Sequence, residues 1–476
     1  MRSGPRASGR RCPWGREPVP SLVPPSFAMK FSLLLWCGLV LWAGAARAAV
    51  EISPVPSPAQ RRLATVRVAV TPDRADWTYQ VGDPVRFRVA VLADGHPVPG
   101  AVVAYTVAPE HTRAETVRVE VPAAGLVIDG GTMTQPGFLR CIAETEIGGR
   151  KYRGLATAAF APERIAPTQV NPEGFDAFWA KGRQDLAKVP MEPEITLLPE
   201  ACTDALNVYH VSFRTVDSGW AGAARLYGIL CEPKAPGKYP ALLRLPGAGV
   251  RPYTGDKSTA ARGFITLEIG IHGLPVNLPK EVYDRLYAGA LLGYWMFNLD
   301  NKDAYYFRRV YLGCLRANDF LASRPGWDGR NLIAAGSSQG GQLAIVTAAL
   351  DPRVTAVVSV HPGFCDVTAE HLHRRATGWP RPFRAEDLAA SPHATPAKLE
   401  TASYYDTVNF ARRLRVPGYY TWGYNDEICA PTSLYAAYNV ITAPKTLELT
   451  LELGHSYTPE QWDAMQAWIL RQVGRP

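Results

Sequence analysis

Hydrophobic and polar residues alternate with two different periods along this chain. From Ala64 to Phe160, short runs of alternating residues are separated by turn residues, and Val85 to Val91 is the clearest of them. Alternation with a period of two is typical of a strand that buries one face, and the runs at 102–107 and 117–121 continue the series. We therefore predict a small β-sandwich of immunoglobulin-like type over residues 64–163.

The pattern changes after a helix that opens at Asn171 and runs to about Lys188. Beyond it, continuous apolar runs alternate with stretches of helical periodicity such as 306–323 and 339–350. The apolar runs are Tyr239–Leu245, Phe264–Ile271, Leu332–Ala335, Val354–Val360, Val416–Trp422 and Leu447–Leu453. Buried strands that alternate with helices indicate a mostly parallel sheet covered on both faces. We predict an α/β domain over residues 165–476.

One turn between a predicted strand and a predicted helix carries a nucleophile pattern. Gly336, Ser338 and Gly340 form G-x-S-x-G, after apolar strand residues and before an alanine-rich helix. This is the context of the nucleophile elbow of the α/β-hydrolase fold, where small glycines let strand and helix approach and leave the serine hydroxyl free. We predict that Ser338 is the nucleophile of an α/β-hydrolase domain. The alternative is an ordinary tight turn with a serine helix cap.

A serine nucleophile needs a general base, which an acidic residue in turn orients. In α/β-hydrolases the acid and the histidine follow the serine in that order along the chain. Asp426 follows the predicted strand that ends at Trp422, and His455 follows the predicted strand that ends at Leu453. We predict Asp426 as the acid and His455 as the base. Glu427 is a rival acid and Asp366 a weaker one.

Two backbone N–H groups are expected to bind the oxyanion of such an enzyme. One belongs to the residue after the nucleophile, which is Gln339. The other comes from the loop after an earlier strand, and the turn that begins at Pro246 fits that place. We predict Ala248 as the second donor, with Gly249 as the alternative.

The net charge of +8 suggests nucleic acid or a membrane surface as partner until its distribution is considered. Residues 1–48 hold seven basic residues and one acidic residue, so 49–476 carries only +2. Residues 29–48 combine a basic start, a twelve-residue apolar run and a small-residue site near Ala48, which is typical of a signal peptide. We predict an upstream extension that is not native over 1–28, cleavage near Ala48, a linker over 49–63, and export to the periplasm or the medium. We expect neither nucleic acid as partner nor stable membrane association; an uncleaved membrane anchor is the alternative.

Six cysteines lie beyond the predicted cleavage site, where an oxidising compartment would permit disulfides. Cys202 and Cys231 flank two strand-like runs that fit a hairpin, so they are a candidate pair. The alternative is that all six are reduced and buried. The chain has no C-x-x-C motif, which argues against a structural zinc site.

Several motifs together make the chain resemble the acetyl xylan esterase and cephalosporin-C deacetylase family, family seven of the carbohydrate esterases. They are the segments 171–179, 246–249, 305–311, 336–341, 351–354 and 426–431, which include S-Q-G-G at the elbow and D-x-I-C-x-P at the acid. The resemblance implies deacetylation of acetylated sugars without metal or cofactor. It also implies Ser338, Asp426 and His455 as the triad and Ala248 and Gln339 as the oxyanion donors.

The chain departs from this family in two places. The family usually has Arg-Gly-Gln where this chain has His272, Gly273 and Leu274 after a predicted strand. Its compact members also lack an N-terminal β-domain and often form hexamers. An additional domain could obstruct that assembly, so we leave undecided whether this chain forms a homo-oligomer.

We predict a secreted serine esterase that acts on acetyl esters of carbohydrates such as acetylated xylan. A general carboxylesterase or a peptidase of the same fold is the first alternative. A polysaccharide-binding protein without catalysis is the alternative of another class. One further cluster fits either a lid whose rings stack on sugars or a buried core: Tyr283, Tyr287, Tyr294, Trp295 and Phe297.

Overall fold

The computed structural model describes residues 65–216, 224–384, 391 and 393–475. The predicted upstream extension, signal peptide and linker all lie outside the described residues. Within the described part of the chain, no helix combines the length and the apolar character that a membrane crossing requires.

In the described residues, the chain from Val66 to Phe160 forms two sheets. In the first, β1, β4 and β7 all pair antiparallel with β3; the second has the order β2-β9-β8-β5-β6, with only β2 and β9 parallel. Their bounds are β1 Val66–Pro72, β2 Thr78–Tyr79, β3 Val85–Ala93, β4 His96–Pro97, β5 Val102–Pro109, β6 Val117–Glu120, β7 Leu126–Gly131, β8 Gly137–Ile147 and β9 Arg150–Phe160. The alternation predicted for β3 is confirmed, since Val85, Phe87 and Val89 are buried while Arg86 and Arg88 are exposed.

A larger mixed sheet follows in the order β10-β11-β12-β14-β13-β15-β16-β17-β18. The first four strands pair antiparallel and the pairs from β14 to β18 are parallel. The bounds are β10 Glu194–Leu197, β11 Leu206–Arg214, β12 Arg225–Pro233, β13 Tyr239–Leu245, β14 Ile265–Gly270, β15 Trp327–Ser337, β16 Ala356–Val360, β17 Gly418–Trp422 and β18 Lys445–Leu449.

Helices cover both faces of the parallel part. Among the described residues they are α1 Phe175–Ala187, α2 Lys257–Ala260, α3 Lys280–Ala288, α4 Tyr306–Ala322, α5 Gln339–Leu350, α6 Ala369–His373, α7 Pro396–Tyr405, α8 Thr407–Ala411, α9 Pro431–Asn439 and α10 Pro459–Gln472. One face of the strands packs against α10 through Leu242, Ile333, Val358 and Tyr419. The opposite face packs in the core with α4 and α5 through Leu243, Ala334, Val357 and Tyr420. Because successive strand residues point to opposite sides, these continuous apolar runs bury both faces.

The predicted apolar runs are all strands in the structure, with one clear difference in length. The run predicted over Leu447–Leu453 ends as a strand at Leu449. The chain turns at Thr450, whose carbonyl accepts a hydrogen bond from Leu453 N–H (3.0 Å). His455 therefore lies further from its strand than the sequence suggested.

The candidate pairing of Cys202 with Cys231 is wrong, because the thiols of the six cysteines in the described residues are all free. Cys202 Sγ instead accepts a hydrogen bond from Val208 N–H (3.3 Å). The alternative is also only partly right, since Cys202 is partly exposed while the other five are buried. The predicted hairpin strands do pair, as β11 and β12.

Candidate active site

The turn between β15 and α5 holds Ser338 in an unusual backbone conformation. Its φ is 59° and its ψ is −123°, a region that residues other than glycine rarely occupy. A Cβ at Gly336 would overlap the backbone of Gly340, and a Cβ at Gly340 would overlap the carbonyl oxygen of Leu245. The two glycines are therefore required for the close approach that raises the serine above the sheet.

The structure brings the three predicted catalytic residues together. His455 Nε2 lies 2.9 Å from Ser338 Oγ, and His455 Nδ1 lies 2.8 Å from Asp426 Oδ2. The other carboxylate oxygen of Asp426 accepts hydrogen bonds from the N–H groups of Ile428 and Cys429, both at 2.8 Å. This chain of hydrogen bonds can take a proton from a hydroxyl while a buried carboxylate holds the ring in place.

The two rival acids are occupied elsewhere. Glu427 forms a bidentate pair with Arg153, with N–O distances of 2.7 and 2.8 Å. The carboxylate of Asp366 accepts hydrogen bonds from Thr168 and from Arg375. Asp426 is thus the carboxylate that bonds to the ring of His455 in the described residues.

The predicted oxyanion donors both lie near this serine. Gln339 is buried as the first residue of α5, and its Nε2 donates to the carbonyl of Pro246 (3.3 Å), which ties α5 to the loop after β13. Ala248 in that loop lines the cavity beside Ser338. Gly249 N–H instead points to the hydroxyl of Tyr294, at 3.4 Å. Of the two alternatives, the geometry therefore favours Ala248.

Comparison with known proteins shows which family this chain belongs to. The acetyl xylan esterase family matches residues 163–472. The chain belongs to this family. It is accordingly a carboxylic-ester hydrolase.

The similarity to one relative extends beyond the residues that the family matches. The acetyl esterase Axe7A of Xylanibacter ruminicola is 39% identical over 408 residues, which cover 84% of this chain and 90% of the relative. Residues 163–476 cannot supply 84% of the chain, so the similarity continues into the N-terminal strands.

Solved structures of the family match about two thirds of this chain. An acetyl xylan esterase from Paenibacillus sp. R4 is 26% identical, covers 65% of this chain and 98% of its own, and has a TM-score of 0.55. Acetyl xylan esterase 1 from Thermoanaerobacterium has the same fold at 24% identity, with a TM-score of 0.55, 65% of this chain and 97% of its own covered. The larger mixed sheet and its helices therefore have an α/β-hydrolase architecture.

His272 shows what this family member does at the position where Arg-Gly-Gln is expected. Its Nδ1 lies 2.7 Å from the hydroxyl of Tyr306 and its Nε2 lies 3.0 Å from the carbonyl oxygen of Gly249. Burial lowers the pKa of His272 to about 4, so the ring is neutral at pH 7. A neutral imidazole thus links α4 to the loop that carries Ala248.

Sequence reasoning missed a second histidine in the site. His361 follows β16 directly, and its Nε2 lies 2.7 Å from the hydroxyl of Ser337, the residue before the predicted nucleophile. Its ring lies against that of His455, with centroids 4.1 Å apart. Burial, and then the neighbouring His455 ring, lower the pKa of His361 to about 3. Its position directly after a parallel strand was the available signal.

The same residues form a cluster that could be considered for a metal. One ligand atom each of His361, Asp426 and His455 lies within 4.8 Å of the others. His455 already uses both ring nitrogens in the hydrogen bonds to Ser338 and Asp426. A metal ion here would have to break that chain, so the cluster fits proton transfer better.

Ser338 opens into a cavity of about 800 Å³. Tyr457 and Trp462 line it with rings stacked at 22° and centroids 6.0 Å apart. Arg244 also lines the cavity, and its guanidinium lies over the ring of Trp462, 5.1 Å from the ring centroid. A cavity of this size, with aromatic faces and polar groups, can hold a molecule larger than an acetyl group.

The aromatic cluster before the elbow is largely core. Tyr283 and Tyr294 are buried, while Tyr287 is 40% exposed. The hydroxyl of Tyr294 donates to Gln339 Oε1, so this ring supports the start of α5 from below. None of the five aromatic residues lines the cavity beside Ser338.

Proposed function

We propose that this chain is an exported esterase that hydrolyses acetyl esters of carbohydrates, such as acetylated xylan or xylo-oligosaccharides. The observation that carries the proposal is His455, whose two ring nitrogens bridge Ser338 and Asp426 at the edge of an open cavity. Family membership supports ester hydrolysis as the reaction class. The acetyl group and the xylan are carried over from the relatives, which are described as acetyl esterase or acetyl xylan esterases.

In the proposed first step, Ser338 Oγ attacks the carbonyl carbon of the acetyl ester while His455 Nε2 takes the hydroxyl proton. The carbonyl oxygen becomes an oxyanion and accepts hydrogen bonds from the N–H groups of Gln339 and Ala248. His455 then returns the proton to the sugar oxygen as the C–O bond breaks. The sugar leaves as an alcohol and the acetyl group stays on Ser338.

In the second step, water attacks the acetyl-enzyme and His455 takes one of its protons. The tetrahedral intermediate collapses, the proton returns to Ser338 Oγ, and acetate leaves. Asp426 orients the ring of His455 throughout and stabilises the imidazolium that forms twice per turnover. Its two hydrogen bonds from the N–H groups of Ile428 and Cys429 hold the carboxylate in place.

The proposal extends to the N-terminal part. We infer that β1 to β9 form an immunoglobulin-like β-sandwich over about 64–163, followed by the catalytic domain over 165–476. Two mainly antiparallel sheets with apolar inner faces support this assignment. Export rests on the apolar run and small-residue site of residues 29–48.

The test compares the full chain with Ser338→Ala on p-nitrophenyl acetate, p-nitrophenyl butyrate, acetylated xylan and a peptide amide. Loss of several orders of magnitude in kcat is expected for Ser338→Ala. Equal rates would overturn the mechanism. Preference for butyrate or the amide would overturn the deacetylase but leave the fold class intact.

Ser337→Ala is the matched control, because Ser337 also lines the cavity and also bonds to a histidine. His361 has no partner for its Nδ1 in the described residues, so this second pair lacks an orienting acid. Ser337→Ala should therefore keep most of the activity. A larger loss in Ser337→Ala than in Ser338→Ala would assign the nucleophile to Ser337.

A further inference from the structure

Arg140 connects the N-terminal strands to the loop that carries Asp426. It lies in β8, and its side chain is 7% exposed. Its Nη2 donates to the main-chain carbonyl oxygens of Asp426 (3.0 Å) and Tyr424 (3.3 Å). An arginine from the N-terminal strands thus satisfies the main-chain carbonyl of the predicted acid and that of the residue two positions before it.

Two further side chains, Glu110 and Thr157, hold the guanidinium of Arg140 in place. Glu110 pairs with its Nη2 at 3.0 Å, and Thr157 Oγ1 accepts from its Nε at 2.9 Å. The second carboxylate oxygen of Glu110 accepts from the backbone N–H and the hydroxyl of Thr432, at the start of α9. Thr157 Oγ1 donates to Asn425 Oδ1 (3.0 Å). The network therefore holds the stretch 424–432 at both ends, through residues 424–426 at one end and Thr432 at the other.

The buried network around Arg140 does more than hold the N-terminal strands against the loop of Asp426. A buried ion pair carries a large desolvation cost, and replacing it by apolar side chains is often neutral or stabilising. An exposed pair such as Arg153 with Glu427 would suffice to hold two surfaces together. The Glu110–Arg140 pair instead directs the Nη2 group of the guanidinium toward the main-chain carbonyls of Tyr424 and Asp426, which lie outside any strand or helix.

The carboxylate of Asp426 is fixed to its own loop by the N–H groups of Ile428 and Cys429. Those bonds do not fix the loop relative to His455. β17 ends at Trp422 and α9 begins at Pro431, so the stretch between them depends on outside contacts for its position.

We propose that Arg140 is a positioning residue for the catalytic acid, so that the N-terminal sheets form part of the support of the active site. The inference rests on the proposed function, in which Asp426 orients His455. A shift of the main chain at Asp426 would displace its carboxylate from His455 Nδ1. Errors of about 1 Å in such a position can cost about 100-fold in rate.

The test uses the full chain with the double substitution Arg140→Met and Glu110→Gln. Burial raises the pKa of Glu110 more than the Arg140 charge lowers it, so removing the arginine alone would strand an unpaired acid. The double variant removes the pair as a neutral unit. We expect kcat on p-nitrophenyl acetate to fall about 10- to 100-fold with KM nearly unchanged, because substrate binding does not use Asp426.

Arg316→Met is the matched control. Arg316 is equally buried, at 7% exposed, and its Nη2 also donates to two main-chain carbonyls, those of Leu186 and Val189. It lies on α4 outside the site. Thermal unfolding should show a loss of stability in both variants, while kcat should fall only in the Arg140 variant. Equal kcat values in the two variants, measured well below their unfolding temperatures, would overturn the proposal.

Two further measurements cover a double variant that fails to fold. Arg140→Lys keeps the charge but lacks the planar fork, and it should lose part of kcat without losing the fold. Proton NMR should show the ring proton shared by His455 and Asp426 shifted or broadened in Arg140→Lys and unchanged in Arg316→Met. An unshifted resonance with wild-type kcat in Arg140→Lys would refute the positioning role. Full activity of Ser338→Ala would instead refute the proposed function, so the two failures are distinguishable.

Discussion

The loop that carries the acid and the loop that carries the histidine are built in opposite ways. The acid loop, residues 423–430, contains Asp426 with a fully buried side chain and is bonded to β8 and β9 through Arg140 and Thr157. The histidine loop, residues 450–458, contains His455 with a side chain that is 22% exposed. It is bonded mainly to the acid loop, through Asn425 N–H to the carbonyl of Leu453 (3.1 Å).

The difference fits the roles that we propose for the two residues. A carboxylate that stabilises a transient imidazolium is most effective when it is fixed and shielded from water. A general base must exchange protons with the substrate and with water, so its ring has to face the cavity. We call Asp426 the fixed member, which the N-terminal sheets support through its loop. We call His455 the working member, which Asp426 supports in turn.

His455→Ala tests the working member and should have the largest effect. Removal of the base in a serine triad costs about a million-fold in kcat. Steady-state kinetics on p-nitrophenyl acetate measure the loss. His361→Ala is the control, because its ring lies beside His455 but is hydrogen-bonded to Ser337, and it should lose far less. A comparable loss in both variants would contradict the assignment of the base.

Asp426→Asn tests the fixed member and should cost about 10,000-fold in kcat, because the amide would favour the wrong tautomer of His455. The same kinetic assay measures this loss. Glu427→Gln is the control, since the neighbouring carboxylate, within the described residues, is hydrogen-bonded to the partly exposed Arg153 and not to His455. If Glu427→Gln were the more damaging change, the acid would have been misassigned.

Gly423→Ala tests the contact between the two loops. A Cβ at Gly423 would overlap the carbonyl oxygen of Leu453, which belongs to the rigid backbone of the histidine loop. We expect the free energy of unfolding to fall by about 1–3 kcal/mol, the usual cost of overpacking. Chemical denaturation measures it. Gly454→Ala is the control, because its Cβ would lie 3.5 Å from the carbonyl oxygen of Asn425, which is ordinary contact.

Thr458→Ala tests the far end of the histidine loop and should have the smallest effect. Thr458 caps α10 in a capping box with Gln461, so its loss should cost about 1 kcal/mol of stability. The value of kcat should stay unchanged, since the ring of His455 is held by Asp426 and Ser338. Denaturation and kinetics on one preparation check both statements. A large drop in kcat would show that the cap, too, positions the histidine.

The sequence predicted those parts of the site that follow from local pattern. Ser338, Asp426 and His455 each follow an apolar strand, and the carboxyl ends of parallel strands meet at one edge of a sheet. Arg140 and Glu110 gave no such signal, since they look like ordinary charged residues in a sheet with one polar face. Their partners at Tyr424, Asp426 and Thr432 lie more than 280 positions away, and only the folded chain brings them together.

Two other features were out of reach for similar reasons. His272 occupies the position of a family motif with different chemistry, and its role depends on the hydroxyl of Tyr306, which a local pattern does not specify. The end of β18 was misplaced because Leu451 and Leu453 continue the apolar run while Thr450 begins a turn. Apolar periodicity identifies residues that pack against the core, but it does not separate a strand from a turn that carries apolar side chains.

The order in which the chain is made gives the Arg140 contact a further meaning. The carbonyl of Asp426 lies 286 residues after Arg140, so it is synthesised about 15–60 seconds later at ordinary translation rates. During that interval the N-terminal sheets have their charged pair but not the loop it supports. A chain that has just reached Asp426 therefore already contains the strands that support its loop, so the support is made before the residue that it positions.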